Sequence, residues 1–536
     1  MWGALLLVLL AAGAQAAPVH VTILAINDVH GNLEPPPGGL PVADPAHPGK
    51  NITIAAGGLA RMATLVKRLK AQNPNTIFVA GGDLIGASPL LSGLFHDEPT
   101  VEALSQMGLS LSSVGNHEFD KGIDELLRIQ HGGCSPTYGC TGGHVFQGAR
   151  FQYLAASPVF TSTGRPVLPP YAIRRFGGVP VAFIGLTRIG TLGLISPKAA
   201  EGLTFRNDAE TVNALVPRLQ AQGVKAIVLL IHGGGRTTGG PNDCEGLSDG
   251  LAEAVAKFDP AIKLIITADS HFGYVCTING RLVTQAFKYT MLVTKIDLEI
   301  DRKSRRIVAQ KAVNLVVDPG LPADPAVEKI IANYRQRAGA LVNKVVATIP
   351  APLASDANPD GESPLGDLVA DAELAAGGHA QIAVANKGGI RVPLAKAGPV
   401  TFGDLYAVLP FGNNIVTEDL TGAQVKTMIE QQWNDPNVKR PLQVSRGLQY
   451  EWDGSKPYGS RVVSLTLDGK PVDPAATYRV AAPDFMVYGG DGFTVLKDGR
   501  NGADGGSLLG ALVAYLPDHV PANGDTAGRI KRIDSP

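Results

Sequence analysis

The 536-residue chain is poor in cysteine, in net charge and in long apolar runs. It has 4 cysteines, and no two are spaced C-x-x-C, the usual start of a zinc-binding thiolate cluster. Its formal net charge is -1, which offers no attraction to a nucleic-acid polymer or an anionic membrane. Beyond the N-terminus no stretch is apolar for long enough to span a bilayer. Internal repeats and low-complexity tails are also missing. What is present is a globular composition: 45% hydrophobic residues, enough for real cores, and a length that predicts two domains.

The N-terminus, "MWGALLLVLLAAGAQAAPVH", reads as a secretory signal peptide over residues 1–16. An apolar core precedes Ala14-Gln15-Ala16, a small-x-small cleavage pattern. No Lys or Arg precedes that core, and a buried first strand or helix is the alternative. No Cys stands at the cleavage site to take a lipid anchor. The expectation is a soluble secreted or periplasmic protein that is free of the membrane after cleavage. Export favours oxidation, so the cysteines are expected as two disulfides. Cys134–Cys140 would close the turn-rich loop "CSPTYGC", leaving Cys244–Cys276. Four thiolates on a metal is the competing reading.

In the first half, apolar runs alternate with amphipathic helical patterns. "VTILAI" (21–26), "TIFVA" (76–80), "VAFIGL" (181–186), "AIVLLI" (226–231) and "KLIIT" (263–267) read as buried strands. "GLARMATLVKRLKAQ" and "DAETVNALVPRLQAQ" read as helices. This predicts a layered α/β domain over residues 17–318. Pro and Asp then cluster around "VVDPGLPADP", and residues 319–345 read as a linker with a helix capped by Asp324 and started by Pro325. A second α/β unit is expected over residues 346–536, with helices in "SPLGDLVADAELAA" and "TGAQVKTMIEQQW" and a strand in "AQIAVAN".

Polar residues cluster where these strands end. "VTILAI" runs into Asn27-Asp28-Val29-His30, "TIFVA" into Gly81-Gly82-Asp83, and "SSVG" into Asn116-His117-Glu118. "AIVLLI" runs into His232 and "KLIIT" into Asp269-Ser270-His271. Carboxyl ends of strands line the ligand crevice of α/β sheets, so these clusters can meet. Carboxylates, imidazoles and an amide oxygen together suit first-row divalent cations. In an extended D-x-H segment the two side chains point to one side, so Asp28 with His30, and Asp269 with His271, are expected to grip an ion in pairs. Any one of these residues alone would more simply be a cap, an Asx-turn or a packed core group. The conjunction carries the metal reading.

The segments "NDVHGNLEP", "GGDLIGASP", "GNHEFD", "LLIHGGG" and "ADSHFGY", followed by "NKGGIR", "LPFGNN" and "YGGDGF", resemble the 5'-nucleotidase / UDP-sugar hydrolase family of dinuclear, calcineurin-like metallophosphoesterases, in its order. The resemblance implies a layered β-sandwich with flanking helices followed by an α/β substrate-binding domain. It implies two divalent cations: Asp28, His30 and His271 on one, Asn116, His232 and Asp269 on the other, Asp83 bridging. His117 and Asp120 match the catalytic pair, and Glu118 a structural position; His117 as a loop brace is the alternative. Phe411 and Phe485 would sandwich a nucleobase, Asp491 would hold ribose hydroxyls, and Asn386 and Arg391 would contact base and phosphate. Either Phe could instead be core.

Two departures stand out. Asp269 occupies the place of a usual His ligand, which would favour Mn²⁺ or Mg²⁺ over Zn²⁺, Mn²⁺ first, or else weaken the second site. A family Arg is replaced near Gly361 and Glu362, a loss for which Arg446 could substitute. The expected function is release of phosphate from nucleoside 5'-monophosphates by in-line attack of a metal-bound hydroxide, with UDP-sugars or dinucleotides as further substrates, by a monomer. A 2',3'-cyclic nucleotide phosphodiesterase/3'-nucleotidase, a thiosulfohydrolase and a non-catalytic nucleotide-binding relative are the alternatives.

Overall fold

The computed structural model describes residues 17–36, 39–44, 51–136, 139–195, 199–434 and 441–534. The segment read as a signal peptide, residues 1–16, lies outside them. Two six-stranded sheets build the first half. In spatial order the first contains Ile307–Val316, Leu292–Ile300, Val19–Ile26, Thr76–Ala80, Leu111–Ser113 and Gln152–Leu154. The second contains Gly273–Ile278, Arg281–Ala286, Ile262–Ile266, Ala226–His232, Val179–Thr187 and Tyr171–Phe176.

The apolar runs form strands because both of their faces are buried. In Val19–Ile26, Val21, Ile23 and Ala25 point between the sheets, into a core shared with Val181, Val228 and Leu264. Leu24 and Ile26 point the other way, against Leu59, Met62 and Val66 of the helix Leu59–Lys70. A strand covered on both sides reads as one continuous apolar run. The helix repeats its buried residues at 59, 62, 66 and 69, the spacing of one helical face.

Direction positions the site. Val19–Ile26, Thr76–Ala80, Leu111–Ser113 and Gln152–Leu154 run parallel. So do Val179–Thr187, Ala226–His232, Ile262–Ile266 and Arg281–Ala286. The carboxyl ends within each sheet therefore share one edge, and the polar clusters of the two sheets meet there.

The expected disulfides are both formed, Cys134–Cys140 and Cys244–Cys276. The linker helix spans Pro325–Val342, and its first turn is capped as expected: the Asp324 carboxylate accepts from Ala326 N at 3.0 Å and Val327 N at 3.3 Å. Beyond it lies a five-stranded sheet in the order Leu442–Val444, Ile382–Asn386, Thr477–Pro483, Asn414–Thr421 and Arg500–Ser507. The helix Pro364–Ala376 packs on this sheet and against Leu508–Tyr515 through Leu365, Leu368, Val369 and Leu512. The mixed α/β architecture is the one expected.

One local expectation fails. Asp28, His30, Asp269 and His271 are not extended; their φ angles are 48°, 45°, 75° and 62°. The strands stop before them, at Ile26 and Ile266, and the chain turns through the left-handed region. Side-chain alternation is not what brings each pair together. Tight turns do, and they are strained for non-glycine residues.

The helix Pro364–Ala376 also buries Glu373 completely, and neither carboxylate oxygen has a hydrogen-bond partner among the described residues. Burial pushes this carboxyl well above its ordinary range, so the folded protein keeps it protonated. An unfolded chain ionises it as pH rises through the usual carboxylate range, and the folded state loses stability over that interval. Glu373→Met is expected to stabilise the protein by roughly 1–3 kcal/mol at pH 7, the cost of an unsatisfied buried polar group. The gain should be smaller at pH 4. Melting curves of both proteins at the two pH values test this; an equal or lower melting temperature for the variant at pH 7 contradicts it.

Candidate metal centre

Seven side chains singled out in the sequence converge at the shared edge. His30 Nε2 lies 3.1 Å from His271 Nε2 and 3.6 Å from Asp83 Oδ2. His271 Nε2 is 3.6 Å from Asp28 Oδ1. On the other side of Asp83, its Oδ2 is 3.2 Å from His232 Nε2, which is 3.0 Å from Asn116 Oδ1 and 3.9 Å from Asp269 Oδ1. Asp83 is thus the hub of two groups, Asp28–His30–His271 and Asn116–His232–Asp269. Asp269 is the outermost member, its side chain 35% exposed, and its backbone N–H donates to both oxygens of Asp28 at 3.1 Å.

The donor chemistry fits divalent cations. His30 Nδ1 is 3.0 Å from the carbonyl of Gly86, and His232 Nδ1 is 3.0 Å from that of Gly81. A carbonyl only accepts, so both rings carry a proton on Nδ1 and turn Nε2 toward the cluster. His30 is held neutral, down at about 3, chiefly by burial, against the pull of Asp83. Burial pushes Asp28 well up, and the Asp83 charge adds to it. Burial would raise Asp83 too, but His232, His117 and His30 more than offset it and keep it ionised. His232 is raised despite burial, because Asp83, Asp269 and Asp28 demand a positive charge beside it. A buried centre that crowds carboxylates and lone pairs in this way is built around cations. Three overlapping groups have all their ligand atoms within 4.8 Å of one another: Asp28–His30–His271, His30–Asp83–His117 and Asp28–Asp83–His232.

Glu118 braces the hub, as the sequence reading had it. Its carboxylate accepts backbone N–H groups of Asp83, Leu84 and Gly115 at 2.9, 2.8 and 2.6 Å. Burial and the Asp83 charge push it up to about 7, and those backbone donors work against the rise. Gly115 is obligatory for close approach: a Cβ there would sit 2.1 Å from Asp83 Oδ1.

His117 stands at the rim. Its Nδ1 is 2.7 Å from Asp120 Oδ2, and its ring stacks on Phe411 at 6.0 Å. Burial lowers its basicity, but Asp120 and Asp83 hold it up at about 9. His117, Asp120, Asn386, Phe411, Phe485 and Asp491 line one cleft of about 330 Å³ between the two halves of the chain. Asn386 and the turn after Phe485 leave neighbouring parallel strands, Ile382–Asn386 and Thr477–Pro483. The Asn386 amide donates to Asp491 Oδ2 at 2.7 Å, while its own Oδ1 is buried with no partner among the described residues. Gly490 lets the Phe485 ring lie on the backbone, since a Cβ there would be 2.6 Å from the ring.

Arg391 is not in that cleft. It donates to the Tyr289 hydroxyl at 2.8 Å and lines a separate cavity. Arg446 is elsewhere, bonded to the Tyr515 hydroxyl at 2.8 Å, and lines neither cavity. Glu362 is buried and accepts from the backbone N–H of Arg529, a structural duty. Sequence reading missed "FKYT", residues 287–290. Tyr289 packs edge-on against His30 and His271 at 5.7 and 5.6 Å, and Phe287, Tyr289 and Thr290 all have φ between 53° and 65°. Nothing in those four letters signals a site.

Two family models match the chain: a calcineurin-like phosphoesterase over residues 21–273 and a 5'-nucleotidase C-terminal domain over residues 345–498. The endonuclease YhcR of Bacillus subtilis is 34% identical over 97% of this chain, which spans only 42% of that protein's length. A 5'-nucleotidase of Vibrio cholerae is 24% identical, with 87% of this chain and 86% of that protein covered. The crystal structure of a 5'-nucleotidase precursor from Thermus thermophilus superposes with a TM-score of 0.73 at 28% identity, covering 96% of this chain and 100% of that one.

Replacing Glu118 tests the brace. A glutamine offers one acceptor oxygen where the carboxylate has two, and turns its own N–H₂ toward backbone donors. Glu118→Gln is expected to weaken metal binding about 10–100-fold, the usual cost of losing an outer partner of a metal site. Calorimetric titration of Mn²⁺ into chelated protein reads this, and unchanged affinity would remove Glu118 from the support of the centre.

Proposed function

The chain belongs to the 5'-nucleotidase family of calcineurin-like metallophosphoesterases, and from that premise we propose that it is an exported hydrolase that releases phosphate from nucleoside 5'-monophosphates. The observation that carries the reading is the cleft that joins His117 at the cation cluster to Phe411, Phe485, Asp491 and Asn386, whose Oδ1 has no partner among the described residues. A nucleoside is a flat ring with ribose hydroxyls and amide-like edges, and the cleft offers aromatic, carboxylate and acceptor groups to match. Export is supported by the N-terminal pattern and both disulfides, and no helix among the described residues is long and apolar enough to cross a membrane.

Asp28, His30 and His271 would hold one cation, Asn116, His232 and Asp269 a second, and Asp83 both. Such a pair supplies polarisation of the phosphoryl oxygens and a water acidic enough to ionise near neutral pH. The side chains do the rest. Asp120 engages His117 Nδ1, so the ring's free Nε2 is the atom available to the substrate. Protonated, it stabilises charge on the phosphoryl group and donates to the departing 5'-oxygen. Asp269 makes the outer group harder than an imidazole would, which favours Mn²⁺.

Assays of AMP, UDP-glucose, cyclic AMP isomers and NAD with Mn²⁺, Zn²⁺ and Mg²⁺ test the assignment. AMP with Mn²⁺ is expected to give the highest kcat/KM; preference for a cyclic isomer would replace the reading. His117→Ala should retain its metals and lose roughly 10²–10⁴ in kcat. Metal loss along with activity would make His117 a ligand instead. Phe485→Ala should raise KM for AMP about tenfold or more, since stacking contributes roughly 1–3 kcal/mol per base. Hydrolysis of p-nitrophenyl phosphate, which has no base, should persist, whereas equal losses on both substrates would point to a packing role.

A further inference from the structure

A cavity of about 370 Å³ opens in the second half of the chain, away from the metal centre. One wall is the face of the strand Asn414–Thr421 that carries Asn414, Val416 and Glu418, since alternate residues of a strand share a face. The edge strand Arg500–Ser507, through Gly502 and Asp504, and the short helix Asp484–Val487 form the others. That helix divides the cavity from the nucleoside cleft: Phe485 lines the cleft, Val487 lines the cavity, and among the described residues Asp484 alone lines both. The size lies in the range of about 300–1,000 Å³ found for small-molecule sites.

The lining is acidic. Among the described residues it carries three carboxylates, Glu418, Asp484 and Asp504, and no Lys, Arg or His. Glu418 is only 4% exposed, and its Oε1 has no hydrogen-bond partner among the described residues. Gly499 makes room for its carboxylate, since a Cβ there would collide with it. Arg479 is engaged on the opposite face of the strand, where it donates to Asp419 Oδ1 at 3.0 Å and to Thr417 Oγ1 at 2.8 Å. A buried carboxylate left in this way is costly, and either a proton or a cation relieves it. Burial pushes Glu418 up to about 7, against the pull of Arg479. Glu373, fully enclosed, keeps its proton; Glu418 opens onto space in which a cation can take the proton's place.

We propose that this cavity binds a short alkyl diamine, with one ammonium on Glu418 in its depth and the other toward Asp504 at its exposed rim. Each ammonium brings three N–H donors to oxygens that can only accept. Val416, Val487 and Tyr488 give the methylene chain an apolar wall. A bare metal ion fits less well. Among the described residues the three carboxylates do not close to within 4.8 Å of one another, as the ligands of the metal centre do.

Calorimetric titration of 1,5-diaminopentane into the metal-loaded full chain tests the site, with 1-pentanol as the uncharged control. Saturable binding of the diamine and none of the alcohol is expected. Glu418→Gln should weaken the diamine about tenfold or more, the effect of one charge-assisted contact. Gly502→Phe gives an independent arm: a Cβ at Gly502 meets nothing within 4 Å, so the ring enters the cavity and binding should be lost. A third arm needs no variant. An ammonium beside Glu418 favours its ionised form, so binding at pH 7 should release a fraction of a proton, read as a difference in heat between buffers of unlike ionisation enthalpy. Absence of saturable binding overturns the proposal, as does equal affinity in the wild type and both variants. Binding without proton release overturns it too, because the amine would then not meet Glu418.

Discussion

Two carboxylates, Asp28 and Asp83, are buried within reach of each other, and each raises the cost of the other's charge. Much of the surrounding structure answers that repulsion. Two histidine rings turn Nε2 inward because backbone carbonyls hold their Nδ1 atoms. Glu118 collects three N–H groups of the loops that carry Asp83 and Gly115. The strained turns at Asp28, His30, Asp269 and His271 persist because packing over-determines them. A site of this kind lowers its energy by accepting cations, and that need follows from desolvation before any function is assigned.

The second half of the chain matters because of where it is set. It delivers Phe411 onto the His117 ring and Arg391 onto the Tyr289 hydroxyl, on two sides of one metal centre. The linker helix packs on the first half through Val327, Ile331 and Tyr334. The proposed division of binding and chemistry thereby falls between the two halves of the chain, which meet at the carboxyl ends of their strands.

Much of this was legible in the chain itself. The buried strands were readable because both of their faces are covered, so each is a continuous apolar run. The ligand-type residues were readable because rare chemistry recurs wherever such a run stops. The linker helix was readable from Asp324-Pro325, whose capping role is local. Tyr289 was not readable. It reaches the centre because Arg281–Ala286 pairs with Ile262–Ile266, a contact between distant segments that leaves no mark in "FKYT". Arg446 was misjudged for the same reason, since its partner Tyr515 is 69 positions away.

The sequence alone determined which residue types the site would contain and that strand ends would present them, because hydrophobic periodicity and side-chain chemistry act over a few residues. Only the tertiary structure decided that Asp83 stands between two groups, that D-x-H pairs converge through left-handed turns instead of strand alternation, and that Arg391 lines a different cavity from Phe411 and Phe485. Those outcomes depend on the register and packing of two sheets and on the meeting of two domains. They are set by the sum of long-range contacts, which no short stretch of residues encodes.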